Sequence, residues 1–289
     1  MVGIRIEGRL GNQLFQCAFI LAVSKKLNTR FFIDQYIERF VVDKYFKNIK
    51  GKSHNAIPLL FNINGFKNIF NFHLRRAYYK YLIWINKFSS IEYNYGSVSR
   101  DIMIQNHAIY KGYFQSVSFF NGFEELIRKT FILKQTFIDQ FKYKYGSLYQ
   151  NNSIVTVHIR RTDYQNQLHL NLGGDDLTLP LDYYKKAIAK YNGQNVHFVF
   201  ISDDLDFVSQ NFKEISNKTI SKDTEIIDFQ HLLNADGCII ANSTFSWWGA
   251  WLNNKPGKII YVPRYFMGWR IKKETPPEIY PDEWVQIDF

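Results

Sequence analysis

Apolar and polar positions alternate along this chain in blocks that predict strands and helices in turn. "VGIRI" (2–6) reads as a short strand and "EGRLGN" (7–12) as a glycine-bearing loop. Residues 12–27 follow as a helix, with Leu14, Phe15, Ala18, Ile20, Leu21 and Ala22 on an apolar side. That helix ends in Lys25 and Lys26, which suit the negative end of its dipole. "RFFID" gives a second strand, "AIYKGYFQS" (108–116) another, and residues 119–145 a helix with a Tyr/Lys-rich end.

A second series begins near residue 151. Strand "SIVTVHI" runs into the polar loop "RRTDYQNQLHLNLGGDDLTLP", followed by a helix over 181–192 and the strand "VHFVFIS". A short helix after Asp204, a helix over 224–234, strand "GCII", loop "ANST", helix "FSWWGAWLN" and strand "KIIYVP" complete it. Strands alternating with helices imply parallel sheets joined by crossovers. The expected fold is α/β: two Rossmann-like domains facing a cleft, divided as 1–150 and 151–289.

Composition and charge narrow the picture. Over 289 residues, 46% hydrophobic and 21% charged positions describe a globular chain rather than a disordered one. The 26 Phe and 19 Tyr suit sugar or base stacking, although a Phe-rich core accounts for most of them. Of the net charge of +10, the segment 44–100 alone supplies +9, from ten basic residues (Lys44, Lys47, Lys50, Lys52, Lys67, Arg75, Arg76, Lys80, Lys87, Arg100) against Glu92. Tyr78, Tyr79, Tyr81, Ile83, Trp84 and Ile85 interleave with these charges, which suggests an anionic membrane surface as partner; a solvated face is the plainer alternative. Cys17 and Cys238 lie in separate apolar runs without metal-ligand spacing and are expected as free buried thiols in a reducing compartment. With no secretory signal and no apolar run long enough to span a bilayer, the expected location is cytoplasmic, in part peripheral to the inner membrane.

Parallel sheets bind ligands beyond the carboxyl ends of their strands, where this chain puts "EGRLGNQ", "HIRRTDY", "SDDLD" and "ANSTFS". On an extended segment His158 and Arg160 point one way and Arg161 the other. Arg160 is thus offered to a ligand and Arg161 to a structural pair with a carboxylate such as Asp163; a plain ion pair for either arginine is the alternative. A guanidinium matches phosphate oxygens and stays charged. Ser243, Thr244 and Ser246 either cap the next helix or help its backbone hold a phosphate. Asp203, Asp204 and Asp206 read as a helix cap with acidic first-turn residues, or as a D-x-D metal motif. The histidines show no metal spacing, and "GRLGN" is neither a P-loop nor a dinucleotide fingerprint.

Together "GRLGNQLFQCA" (8–18), "HIRRTDY" (158–164), "FISDD" (200–204) and "NSTFSWWGAWLN" (242–253) resemble the bacterial α-1,2-fucosyltransferase family, in the expected order and as far as about residue 270. The resemblance implies a GT-B type fold, GDP-fucose as donor, and inverting transfer of fucose to O2 of a terminal galactose in a glycan. It implies no metal and no cofactor beyond the co-substrate. By position it makes Arg160 the grip on the β-phosphate and His158 a neighbour of the ribose. Ser243, Thr244, Phe245 and Ser246 become the phosphate-contacting turn, and Arg9 and Asn12 face the fucose and diphosphate. It makes Asp228, eight residues before Asp236, the reader of guanine. Asp163 is left as either the general base or a brace on Arg161. Nucleic acid is not an expected partner. The alternatives are another nucleotide-sugar transferase, metal-dependent through Asp204 and Asp206, and a basic polyanion-binding protein.

Overall fold

The structure, a computed structural model, describes residues 1–35, 38–49, 87–93 and 101–289, with 77, 80, 81, 84 and 98 besides. The chain divides into two compact units, Met1–Ile132 and Leu133–Phe289. The division falls before the expected boundary at 150 because the helix Gln135–Asn151 packs within the second unit, where its Phe141 and Tyr145 join Ile227 in a small core. Most of the basic segment 44–100, including Lys50, Lys52, Lys67, Arg75, Arg76, Arg100, Tyr78, Tyr79, Ile83 and Ile85, lies outside the described residues.

Among the described residues the first unit is built on four parallel strands in the order β2–β1–β4–β3: β1 Val2–Arg5, β2 Phe31–Asp34, β3 Ser89–Glu92 and β4 Ala108–Lys111. Helix α1 (Leu10–Lys26) follows β1 and is buried on nearly all sides. Its Phe19 meets Tyr110 at 5.2 Å, Phe114 at 3.9 Å and Phe119 at 5.9 Å, so much of the aromatic content here is core. Val42–Tyr45 forms a single helical turn, α2. The helix expected over 119–145 is two helices, α3 (Glu124–Thr130) and α4 (Gln135–Asn151). Between them the chain leaves helical geometry to bond with another segment: Ile132 O accepts from Lys47 N (2.9 Å), and Asn48 donates to Lys129 O (2.8 Å).

The second unit carries a six-stranded, wholly parallel sheet in the order β10–β9–β8–β5–β6–β7. Its strands are β5 Ser153–Ile159, β6 Val196–Ser202, β7 Lys218–Ile220, β8 Gly237–Ile239, β9 Ile259–Pro263 and β10 Val285–Ile287. Helices α5 (Leu181–Ala189), α6 (Leu205–Asn211), α7 (Glu225–Asn234) and α8 (Thr244–Leu252) alternate with them. In chain order the sheet winds outward from β5 through β6 to β7, then restarts at β8 on the other side. This is the Rossmann arrangement, whose order reverses between β5 and β8, and at such a switch point the two following loops part to leave a crevice. Each unit is Rossmann-like.

Candidate functional site

The loops at the switch point of the second sheet are those the motifs occupy. β5 ends at Ile159 and delivers Arg160 beyond its carboxyl edge; β8 leads through Asn242 into α8. The two loops are tied together, because the Tyr164 hydroxyl donates to Asn242 O at 3.0 Å. Burial pushes the Tyr164 phenol up to about 12, so it stays a neutral donor. From below, the Tyr183 hydroxyl donates to Ile240 O at 2.6 Å.

Arg160 is held at one nitrogen only. Its Nε donates to Asp163 Oδ1 at 2.7 Å and lies 3.3 Å from Asp203 Oδ2. Neither Nη nitrogen has a hydrogen-bond partner among the described residues. The guanidinium thus has its root fixed by two carboxylates and four N–H donors left over, a geometry suited to phosphate oxygens.

The expected pairing of Arg161 with Asp163 is not what the structure has. Asp163 serves Arg160, and Arg161 Nε pairs with Asp204 Oδ2 at 3.0 Å while its guanidinium lies 3.9 Å from the centre of the Phe207 ring. A 3-10 turn over Thr162–Gln165 follows at once and brings Asp163 back toward Arg160, three residues before it. Asp203 completes the clamp, accepting from Arg161 N at 2.9 Å and from Thr162 Oγ1 at 2.5 Å. Of the two readings of the aspartates after β6, the cap fits: Asp204 accepts from Phe207 N at 2.9 Å at the start of α6. Among the described residues no group of three or more His, Cys, Asp or Glu could hold a metal ion.

His158 is buried, 4% exposed, and its ring lies 5.6 Å from that of Phe245. Burial, helped by Arg160, pulls its pKa down to about 3, so the imidazole is neutral at cellular pH. Its Nδ1 finds no hydrogen-bond partner among the described residues, nor does Asn242 Oδ1. Asn242, which no motif argument singled out, is fully buried and donates to Leu177 O at 2.9 Å, fixing the long loop after β5. At the start of α8 Ser243 is the N-cap residue by position, but its side chain makes no capping bond. The buried Ser246 hydroxyl donates to Ser243 O at 3.2 Å. Thr244 opens the helix, and Phe245 turns inward against His158 and Phe229.

Asp228 lies in the first turn of α7, next to Phe229, whose ring meets that of Phe245 at 5.4 Å. The Ser221 hydroxyl donates to its Oδ1 at 2.5 Å. Burial raises the Asp228 carboxyl to about 6 against the pull of that hydrogen bond.

In the first unit the sheet order also reverses between β1 and β4, and side chains of α1 hold the loops there. Gln13 donates to Gly8 O (3.0 Å) and Arg39 O (2.9 Å) and accepts from Val41 N (2.8 Å). Gln16 donates to Gly112 O (2.9 Å) and accepts from Glu7 N (3.2 Å). Gln115 donates to Asn12 Oδ1 at 2.9 Å, so Asn12 is part of this amide network, while Arg9 is exposed at the head of α1. Gly8 adopts φ +75, and a Cβ there would meet Asn12 Nδ2 at 2.4 Å. Two buried glutamines three apart in the apolar stretch of α1 are the available signal for this clamp; most of their partners lie too far along the chain to be read from it. Cys17 and Cys238 are free and buried.

Comparison with known proteins gives a consistent answer. The family model for glycosyl transferase family 11 matches residues 1–288. The O-antigen biosynthesis glycosyltransferase WbnK of Escherichia coli is 27% identical, over 98% of this chain and 99% of its own length. An alpha-1,2-colitosyltransferase of Escherichia coli is 26% identical, over 100% of this chain and 99% of its own length. Among solved structures, NodZ alpha-1,6-fucosyltransferase soaked with GDP-fucose superposes with a TM-score of 0.52 at 14% identity, covering 87% of this chain and 92% of that one. The structure of NodZ from Bradyrhizobium superposes with a TM-score of 0.51 at 13% identity, covering 86% and 91%. These two share the fold.

Proposed function

The chain belongs to glycosyl transferase family 11, a fucosyltransferase-like glycosyltransferase, and on that premise we propose that it moves L-fucose from GDP-fucose to O2 of a terminal galactose in a glycan, with inversion and without a metal ion. The observation that carries the proposal is Arg160: a guanidinium with its Nε clamped by Asp163 and Asp203 and both Nη groups unpartnered among the described residues, at a switch point. The bond from the anomeric carbon to the β-phosphate oxygen breaks as the bond to the acceptor O2 forms. Charge grows on the departing diphosphate, and Arg160 stabilises that charge more in the transition state than in the ground state. The backbone at the start of α8, with Ser243, Thr244, Phe245 and Ser246, holds the remaining phosphate oxygens. Neutral His158 lies beside the ribose, and Asp228 accepts from the N1–H and N2–H of guanine. Asp163, engaged by Arg160, serves as its brace; the acceptor proton passes to the departing diphosphate.

The test is a donor panel with galactose-terminated acceptors, run with and without EDTA. GDP-fucose should support transfer with EDTA present, and ADP- and UDP-sugars should not. Loss of activity in EDTA would favour a metal-dependent transferase instead. Equal affinity for any polyanion would favour simple charge binding.

A second reading is supported by the likeness to the alpha-1,2-colitosyltransferase. Colitose is fucose without its 3-hydroxyl, so the two donors differ by the hydrogen bonds made to one oxygen. Preferential turnover of GDP-colitose over GDP-fucose would select that reading. The basic segment 44–100 is proposed to rest on an anionic membrane surface, with Trp84 76% and Tyr81 54% exposed; among the described residues no helix is long and apolar enough to cross a membrane. Salt-sensitive sedimentation with anionic liposomes is the expected result, and none at low salt would end the idea.

A further inference from the structure

Asp228 is one end of a hydrogen-bond chain that begins on another helix. Asp223 accepts from Lys144 Nζ at 2.6 Å and from the Tyr145 hydroxyl, both on α4. The Asp223 backbone N–H donates to Ser221 Oγ at 3.3 Å, and Ser221 in turn donates to Asp228 Oδ1 at 2.5 Å. Ser221 itself is 2% exposed, and its backbone N–H is tied to Phe200 O on β6 at 2.8 Å. A hydroxyl has one proton. With an N–H aimed at its oxygen, that proton goes to Asp228, so the direction of the bond is fixed. We infer that Ser221 is a positioning residue for nucleobase selection, its hydroxyl holding the Asp228 carboxylate turned to accept two adjacent N–H donors of a guanine ring.

The inference rests on the reading of Asp228 as the guanine acceptor and adds what makes that acceptor selective. An ionised carboxylate has about four lone-pair sites. One is taken by Ser221, and those that remain face outward only while rotation of the carboxylate is blocked. Guanine presents N1–H beside N2–H, hypoxanthine only N1–H, and adenine a bare nitrogen beside its amine. A carboxylate fixed in orientation separates these bases by whole hydrogen bonds, whereas one that rotates separates them poorly.

The chain also couples base recognition to pH. The groups facing Asp228 are Ser221 and Asp223 of the segment after β7 and Lys144 of α4, with Tyr145 and His231 around Asp223. Burial raises the carboxyl and the Ser221 hydrogen bond lowers it, to about 6 in balance. Guanine needs the ionised form, so affinity falls as pH drops below that value. Without the Ser221 hydroxyl the loss sets in at higher pH.

The experiment is calorimetric titration of the full chain with GDP and with inosine diphosphate at pH 5.5, 6.5 and 7.5. Wild type should prefer GDP about tenfold, the worth of one hydrogen bond to a charged group. Asp228→Asn should erase the preference. Ser221→Ala should weaken GDP about tenfold and inosine diphosphate about threefold, and shift the loss of affinity to higher pH. Ser221→Thr should restore both to within about threefold of wild type. Ser221→Cys, which keeps the volume but donates weakly, carries the expectation of Ser221→Ala should that variant not fold. If Asp228→Asn loses the preference while Ser221→Ala and Ser221→Cys keep it with the wild-type pH dependence, the inference is overturned and the base reading stands. If Asp228→Asn itself keeps the preference, the base reading falls and the inference with it.

Discussion

The two Rossmann-like units solve one problem, holding loops open at a switch point, with a different balance of neutral and ionic ties. In the first, the loops after β1, β2 and β4 are gripped by the neutral amides of Gln13, Gln16 and Gln115. In the second, the loop after β5 is tied by the neutral Asn242 and Tyr164 and, in addition, by ions: Arg160 with Asp163 and Asp203, Arg161 with Asp204. Amide clamps hold geometry without setting up a field. Ionic clamps hold geometry and also leave a fixed cation at the crevice mouth. The difference teaches that the second unit is where charge is to be handled.

The largest effect should come from breaking the ionic side at its functional residue. Arg160→Ala is expected to lower turnover at least about a hundredfold, since a charge-stabilising contact of this kind is worth about 3 kcal/mol. Arg160→Lys should recover little of it, because an ammonium offers no fork and cannot use Asp163 and the ligand together. Near-normal turnover in Arg160→Ala would end the proposed chemistry. On the amide side, Gln16→Leu strands the part-buried Glu7 N–H and Gly112 carbonyl beside a fully buried side chain. It should cost about 1–3 kcal/mol in urea unfolding, with little dependence on salt. An unchanged unfolding midpoint would mean the amide clamp does not hold the unit together.

Arg161→Ala sharpens the contrast. It removes one partly exposed ion pair and a cation–ring contact, so a stability loss of about 1 kcal/mol that shrinks at high salt is expected. A salt-independent loss would indicate packing rather than charge. The smallest effect near neutrality should be that of pH. Buried His158 and His231 are pulled down to about 3 and about 4, so below 6.5 the unfolded chain takes up protons that the folded one refuses. Their share of stability is whole above pH 6.5 and is lost as pH falls from there toward 4. Asp228, raised to about 6, opposes this between about 6 and its ordinary 3.8. Denaturant midpoints at pH 7.5, 6.5 and 5.5 should therefore decline modestly; a rise toward pH 5.5 would contradict the two histidines.

The strands that could be read from the chain were the apolar ones. β5 and β6 carry seven residues each with mostly buried positions, and their patterns are plain. β7 and β10 were not legible: each is three residues at an edge of the sheet, with no buried alternation to betray it. The site was legible as far as its local sequence reached. Alternation separated Arg160 from Arg161, but which carboxylate holds which arginine depended on Asp203 and Asp204, more than 40 residues on and brought close only by the pairing of β5 with β6. The Ser221–Asp228 bond was likewise invisible, since seven residues and a turn separate a strand end from a helix start. Spacing reports what lies on one element; partners across elements need the sheet.

The single-nitrogen grip on Arg160 has an entropic consequence. A long, many-jointed side chain ordinarily surrenders about 1.5–2 kcal/mol of rotamer freedom when it is immobilised. Here Asp163 and Asp203 impose that loss during folding, before any diphosphate arrives. The ligand meets an arginine already stilled, and the contact it makes is diminished by that much less.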